Sequence, residues 1–229
     1  MRITDLLDKR SISLDAVCTS KSDALDQAVA LMVKSGKIND EEAYRKQVYL
    51  REEESTTGIG EGIAIPHGKC DAVTKPGLAA MVIKDGVDFD SLDDEPVNLL
   101  FLIAAPNTED NIHLDVLSKL SMLLMDENFV ENLKNASSVD EFLQIVDAAD
   151  EEKPDLNDQL AAQTETEGAV CKIIAVTSCP TGIAHTYMAA EGLEKAAKAH
   201  NCSIKVETRG SGGAKNVVTD AEIANADCV

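Results

Sequence analysis

Gly62-Ile63-Ala64-Ile65-Pro66-His67-Gly68-Lys69 sets a short apolar run against a proline, a histidine, a glycine and a lysine. Pro66 fixes its own φ and holds Ile65 extended, so the run reads as a strand that stops there, with His67 on a stiff corner. Gly68 is expected to let the backbone turn away without crowding the imidazole. A rigidly aimed imidazole beside a cation suits a nucleophile that accepts an anionic group. Neutral imidazole is a good nucleophile at physiological pH, and its phosphoramidate keeps a high transfer potential. Such a group needs one ring nitrogen exposed, the other hydrogen-bonded, and cationic or amide donors for the transferred charge. Lys69 and Arg51 are candidates for that charge.

Around this segment the pattern is mixed α/β. Ser22 is read as the cap of a helix carrying Leu25, Val29, Ala30, Leu31 and Val33, which Gly36 stops. A second helix runs from Asp40 to about Glu54, with Tyr44, Val48 and Leu50 among its apolar residues. Strands are expected from Leu78 to Ile83 and from Val97 to Ala104, with a shorter one from Gly86 to Asp90. Two helices follow, from His113 to Met125 and from Val139 to Val146. His113 shares a helix face with Val116, Leu117, Leu120 and Leu124 and so points inward. Together these elements predict a sheet flanked by helices.

From Asp147 to Gly168 acids, amides and a proline replace the apolar periodicity, and Lys153 is the one cation. That composition predicts a solvated, self-repelling linker. Beyond it, Cys171 to Val176 reads as a buried strand, Ile183 to Ala199 as a helix, Ser203 to Glu207 as a strand and Thr219 to Ala224 as a short helix. Alternating strand and helix predicts a doubly wound parallel sheet, and Asp227-Cys228-Val229 reads as the opening of a third strand.

Cys179 follows the first of these strands, and Pro180-Thr181-Gly182 leads into the helix. The sulfur is thereby expected near free backbone N–H groups and the positive end of a helix dipole. Those groups lower a thiol pKa and then cradle an anion that the thiolate receives. Ser178, Thr181 and Thr186 add hydroxyl donors. Cys171, Cys202 and Cys228 read as core residues of strands, and His185 and His200 as histidines without a role of their own.

A net charge of −20 over 229 residues, with 3% aromatics and no Trp, argues against nucleic acid as a partner and for a partner with a basic patch. No apolar run approaches the about 20 residues of a membrane span. The six cysteines form no C-x-x-C pair, which points away from a zinc site or a disulfide framework and toward reduced thiols in a cytoplasm. Four widely spaced histidines supply no metal-ligand set, and no phosphate-loop motif for ATP occurs.

The stretch Gly58-Ile59-Gly60-Glu61-Gly62-Ile63-Ala64-Ile65-Pro66-His67-Gly68 closely resembles the phosphohistidine signature of enzyme IIA domains of the bacterial sugar phosphotransferase system, mannitol/fructose class. Arg51, sixteen residues before His67, and His113, forty-six after it, match that family's active-site arginine and second histidine. Residues 105 to 114 also resemble the family. The resemblance implies that His67 takes phosphate from the carrier phosphoprotein HPr, with His113 and Arg51 orienting and stabilising it.

Residues 170 to 229 resemble the enzyme IIB domain of fructose-class systems. The likeness runs through Ile174-Ala175-Val176-Thr177-Ser178-Cys179-Pro180-Thr181-Gly182-Ile183-Ala184-His185-Thr186 and on through Val206-Glu207-Thr208-Arg209-Gly210-Ser211-Gly212-Gly213. It implies Cys179 as a phosphocysteine, with Pro180, Thr181, Gly182, Ile183, Ala184, His185 and Thr186 around its phosphate. The organisation so implied is a IIA-like domain over 1–148, an acidic linker over 149–169 and a IIB-like domain over 170–229 that falls short of the family's full length. No cofactor and no metal are implied. The implied partners are HPr, the sugar and a membrane permease domain IIC, in the same longer chain or separate, which would hold a cytoplasmic protein at the inner face of the membrane. The alternative is a regulatory IIA-type protein whose phosphorylation state controls partner proteins. A low-molecular-weight tyrosine phosphatase is set aside because residues 180 to 187 lack the arginine its loop requires.

Overall fold

The computed structural model describes residues 2–107, 119–152, 171–178, 184–210 and 213–229. The chain divides into two compact units, Met1–His113 with Glu127–Glu152, and Leu114–Asp126 with Lys153–Val229.

The first unit opens with α1 (Ile3–Leu6) and β1 (Leu7–Ala16), then α2 (Lys21–Lys34) and α3 (Glu41–Glu54). Short strands β2 (Gly58–Gly60), β3 (Ile63–Ala64) and β4 (His67–Cys70) follow, then the long β5 (Gly77–Val87) and β6 (Val97–Pro106). It ends with α4 (Glu127–Asn135) and α5 (Val139–Glu152). The sheet is mixed, in the order β1-β5-β6-β3-β2, with β4 also paired to β6.

β6 lies inside this sheet and is covered on both faces, which is why Val97 to Ala105 is almost continuously apolar. Leu100, Leu102 and Ala104 join Ala79, Met81 and Ile83 of β5 in a core with α2 and Tyr44 and Val48 of α3. Phe101 faces the other way, its ring 6.2 Å from that of Phe142 on α5. The sheet flanked by helices is the expected one.

Several boundaries differ from expectation. The cap of α2 is Ser20, whose side chain accepts the Asp23 N–H, while Ser22 lies inside the first turn. Gly36, at φ +78°, does end that helix. Leu50 of α3 is exposed. The strand expected over Gly86 to Asp90 is instead the end of β5, which stops at Val87. Of the helix expected from His113 to Met125, the described part is helical over 119–124, burying Leu120, Leu123 and Leu124.

The acidic tract does not begin as a linker. α5 continues through Glu152 because the chain's own start supplies donors for its carboxylates. Asp147 accepts from Arg2 Nη1 at 3.0 Å and Thr4 Oγ1 at 2.9 Å. Asp150 accepts the Ile3 N–H at 2.9 Å, capping α1. Residues 153–170 lie outside the described residues.

The second unit contains β7 (Lys172–Ser178), α6 (Ala184–Ala199), β8 (Ser203–Gly210), β9 (Gly213–Lys215) and α7 (Asp220–Ala224). β7 and β8 are parallel in unbroken register from Lys172↔Ser203 to Ser178↔Arg209, as a βαβ unit requires. β9, which the sequence reading did not include, is antiparallel to β8. Cys228 bridges Ile173 in the parallel sense, the start of the third strand expected there.

The cysteine reading needs correction. Cys171 and Cys202 are joined in a disulfide, with Cα atoms 4.8 Å apart, and Cys228 is exposed instead of core. The β7–β8 register sets residues 171 and 202 side by side at the two strand entries, a proximity hidden by 31 residues of separation.

Candidate active site

β3 and β4 are two halves of one interrupted strand. Ile63↔Leu99, Ala64↔Leu100, His67↔Ile103 and Gly68↔Ala104 keep one constant offset along β6, straight through Ile65 and Pro66. Pro66 has no N–H to give the ladder, yet its carbonyl still accepts the Ile103 N–H at 2.9 Å. The strand therefore breaks at Pro66 and resumes at His67, where the sequence had suggested a stop.

Gly68 continues that strand and does not turn it. A Cβ at Gly68 would meet Tyr44 Cε2 and Val48 Cγ2, each at 3.0 Å, so the glycine admits α3 against β4. Tyr44 Oη donates to the Ile103 carbonyl at 3.0 Å and anchors that contact. Strand alternation then gives His67 and Lys69 the face away from α3.

At the C-terminal end of α3, Arg51 Nε donates to His67 Nε2 at 3.0 Å. A guanidinium only donates, so Nε2 carries the lone pair and the proton sits on Nδ1. Nδ1–H then donates to the Ile65 carbonyl at 3.1 Å. Arg51 Nη1 is held by the Ser55 carbonyl at 2.9 Å and by Ser55 Oγ at 3.3 Å. His67 is half-buried, with one nitrogen committed to the backbone and the other to a cation. This is an imidazole whose Nε2 lone pair is aimed at a guanidinium, so a positive charge stands beside the nitrogen that would attack.

Of the residues singled out from sequence, the structure brings Arg51 to His67 and places Lys69 two positions along the same strand. His113 lies outside the described residues, as do Cys179, Pro180, Thr181, Gly182 and Ile183. Ala184 and His185 open α6, and Thr186, in its first turn, is buried. Thr177 and Thr208 are also buried, as register partners near the C-terminal ends of β7 and β8.

Sequence reasoning missed the turn between α3 and β2. Thr57 is buried there, and its carbonyl accepts the Ile65 N–H at 3.0 Å. Glu52 Oε1 accepts the Thr57 N–H at 2.9 Å, and Oε2 accepts Thr57 Oγ1 at 2.6 Å. Lys21 Nζ reaches Glu52 Oε1 at 2.9 Å, Asp90 at 3.3 Å and Thr56 Oγ1 at 3.4 Å, and lies over the Phe89 ring. Nothing in the run Glu52-Glu53-Glu54 marks the first as the one that turns inward.

Comparison with known proteins matches both units. Residues 5–149 match the family model described as phosphoenolpyruvate-dependent sugar phosphotransferase system, EIIA 2, and residues 174–229 match that of the PTS system lactose/cellobiose-specific IIB subunit. The fructose-specific EIIABC component of Bacillus subtilis is 44% identical over 229 residues, all of this chain and 36% of that protein. The fructose-specific EIIA component of Haloferax volcanii is 42% identical over 127 residues, 56% of this chain and 82% of that protein. The crystal structure of nitrogen regulatory protein IIA-Ntr from Neisseria meningitidis superposes with a TM-score of 0.59 at 30% identity, covering 63% of this chain and 98% of that one. The chain spans about a third of the length of the EIIABC components it matches. No helix among the described residues is long and apolar enough to cross a membrane. Over residues 5–149 the chain belongs to the EIIA 2 family of the phosphoenolpyruvate-dependent sugar phosphotransferase system, and a segment similar to a PTS IIB subunit follows in the same polypeptide.

Proposed function

We propose that this chain relays a phosphoryl group from phospho-HPr to His67, from His67 to Cys179, and from Cys179 to fructose or a related sugar during uptake. The observation that carries the reading is the paired hold on His67, with Nδ1–H on the Ile65 carbonyl and Nε2 against Arg51 at 3.0 Å. In the first step the Nε2 lone pair forms the N–P bond as the donor's N–P bond breaks. Nδ1 keeps its proton, donated to the Ile65 carbonyl throughout, so His67 needs no separate base. Arg51 releases Nε2 and pairs with the incoming phosphoryl oxygens, with His113 assisting on the family's pattern. In the second step the Cys179 thiolate attacks the same phosphorus, forming P–S as P–N breaks. The amides and hydroxyls of Pro180 to Thr186 receive its charge.

In this reading residues 1–148 act as the phosphohistidine domain and 170–229 as the phosphocysteine domain. The tract between them is a tether that keeps donor and acceptor at high effective concentration. The protein works at the cytoplasmic face of a membrane, beside a IIC permease. A regulatory reading is favoured by one observation, the likeness to a nitrogen regulatory IIA-Ntr along nearly the whole of that protein.

Incubation with phosphoenolpyruvate, enzyme I and HPr, followed by site mapping in wild type, His67→Ala and Cys179→Ser, separates the two. The relay predicts label on both residues in wild type, on His67 alone in Cys179→Ser, and on neither in His67→Ala. Label confined to His67 in wild type supports the regulatory reading, and no label at all overturns both.

A further inference from the structure

The turn between α3 and β2 controls both nitrogens of His67. Ser55 holds the guanidinium that faces Nε2, and the Thr57 carbonyl accepts the N–H of Ile65, the residue whose carbonyl, in the next peptide plane, takes Nδ1–H. That turn is clamped by one carboxylate. The Glu52 side chain is only 6% exposed and accepts from Thr57 N, Thr57 Oγ1 and Lys21 Nζ. A glutamate in the last turn of a helix opposes the helix dipole, so helix stability does not account for it. Burying its charge requires the donors that Thr57 and Lys21 supply.

We infer that Glu52, neutralised by Lys21, is a positioning residue that selects the His67 tautomer with its lone pair on Nε2. Glu52 fixes the turn through Thr57; Thr57 anchors the backbone of Ile65, whose carbonyl takes Nδ1–H, and Ser55 in the same turn holds Arg51 on Nε2. Without the clamp the turn that carries Ser55 and Thr57 shifts, and Arg51 and the Ile65 carbonyl both loosen their hold on the ring. The tautomer with its proton on Nε2, which cannot attack phosphorus through that nitrogen, then gains population. The inference rests on the phosphotransfer reading for its purpose, but the tautomer is measurable without any transfer.

The test is the imidazole ¹⁵N spectrum of the unphosphorylated full chain for wild type, Glu52→Gln and Thr57→Val, alongside the rate of labelling from phospho-HPr. Wild type should show the Nδ1–H form in excess, and both variants should shift toward the Nε2–H form. Their maximal labelling rate should fall about tenfold, within the about 100-fold that a 1 Å misplacement of a reacting group can cause, at unchanged KM for HPr. Folded variants with wild-type imidazole shifts overturn the inference, even if their melting temperature drops. Should Glu52→Gln not fold, Thr57→Val and Lys21→Met make the same comparison. A wild type that takes no phosphate while the variants still shift the tautomer refutes the phosphotransfer reading and leaves the positioning role standing.

Discussion

Cys18 and Cys228 are free thiols in opposite surroundings. Cys18 packs against the core of the first unit, and burial pushes its thiol up to about 11, with Asp23 adding in the same direction. Cys228 is exposed. At pH 8 a group with a value near 11 is about 0.1% thiolate, and the thiolate is the reactive form. Iodoacetamide at that pH should label Cys228 well before Cys18, with Cys18 labelling rising about tenfold per pH unit until about 11. Peptide mapping at several pH values checks this, and equal rates at pH 8 would refute the burial argument. At this same scale His67 was legible because proline and glycine flank it, and Arg51 because its distance from His67 matches that of the IIA family it resembles. Glu52 was not legible, since its role depends on Lys21, 31 residues earlier, meeting it across two helices.

The interrupted strand shows how elements place His67. β6 offers a rigid parallel template, Pro66 opens one gap in its partner, and Gly68 lets α3 close over the far side. Replacing Gly68 with alanine forces a methyl group to within 3.0 Å of Tyr44 and Val48, both buried. Overpacking of this kind costs about 1–3 kcal/mol, so Gly68→Ala should lower the urea midpoint without changing the m value. A loss under about 0.5 kcal/mol would mean that α3 yields without strain. The bounds of α3 and the bulk of β5 and β6 were readable because caps and unbroken apolar runs are local signals. β1 escaped the reading because its pairing with β5 slips twice, between Leu7 and Ile12 and between Ser13 and Ala16. Those irregularities break the period-two alternation by which a strand is recognised.

At the scale of the whole molecule the two units are held by different means. The first has a core on both faces of a six-stranded sheet, while the second closes a three-stranded sheet with a disulfide between strand entries. Closing a loop of 31 residues stabilises the folded state by about 3–4 kcal/mol in the chain-entropy account. Reductant should therefore speed amide exchange in β7 and β8 and leave β5 and β6 unchanged. Equal exchange with and without reductant would show that the crosslink contributes nothing. The sequence by itself determined the class of each unit and singled out His67 and Arg51, which the fold brings to 3.0 Å of one another. The class follows from periodicity and turn residues and His67 from its proline and glycine neighbours, all carried locally, while Arg51 was singled out by the resemblance to the IIA signature. Only the tertiary structure decided that the strand resumes beyond Pro66, that α5 runs on into the acidic tract, that Cys171 meets Cys202, and that Glu52 governs the turn beside His67. Each of those depends on a partner brought close by a sheet register or a helix crossing, and distance along the chain carries no record of it.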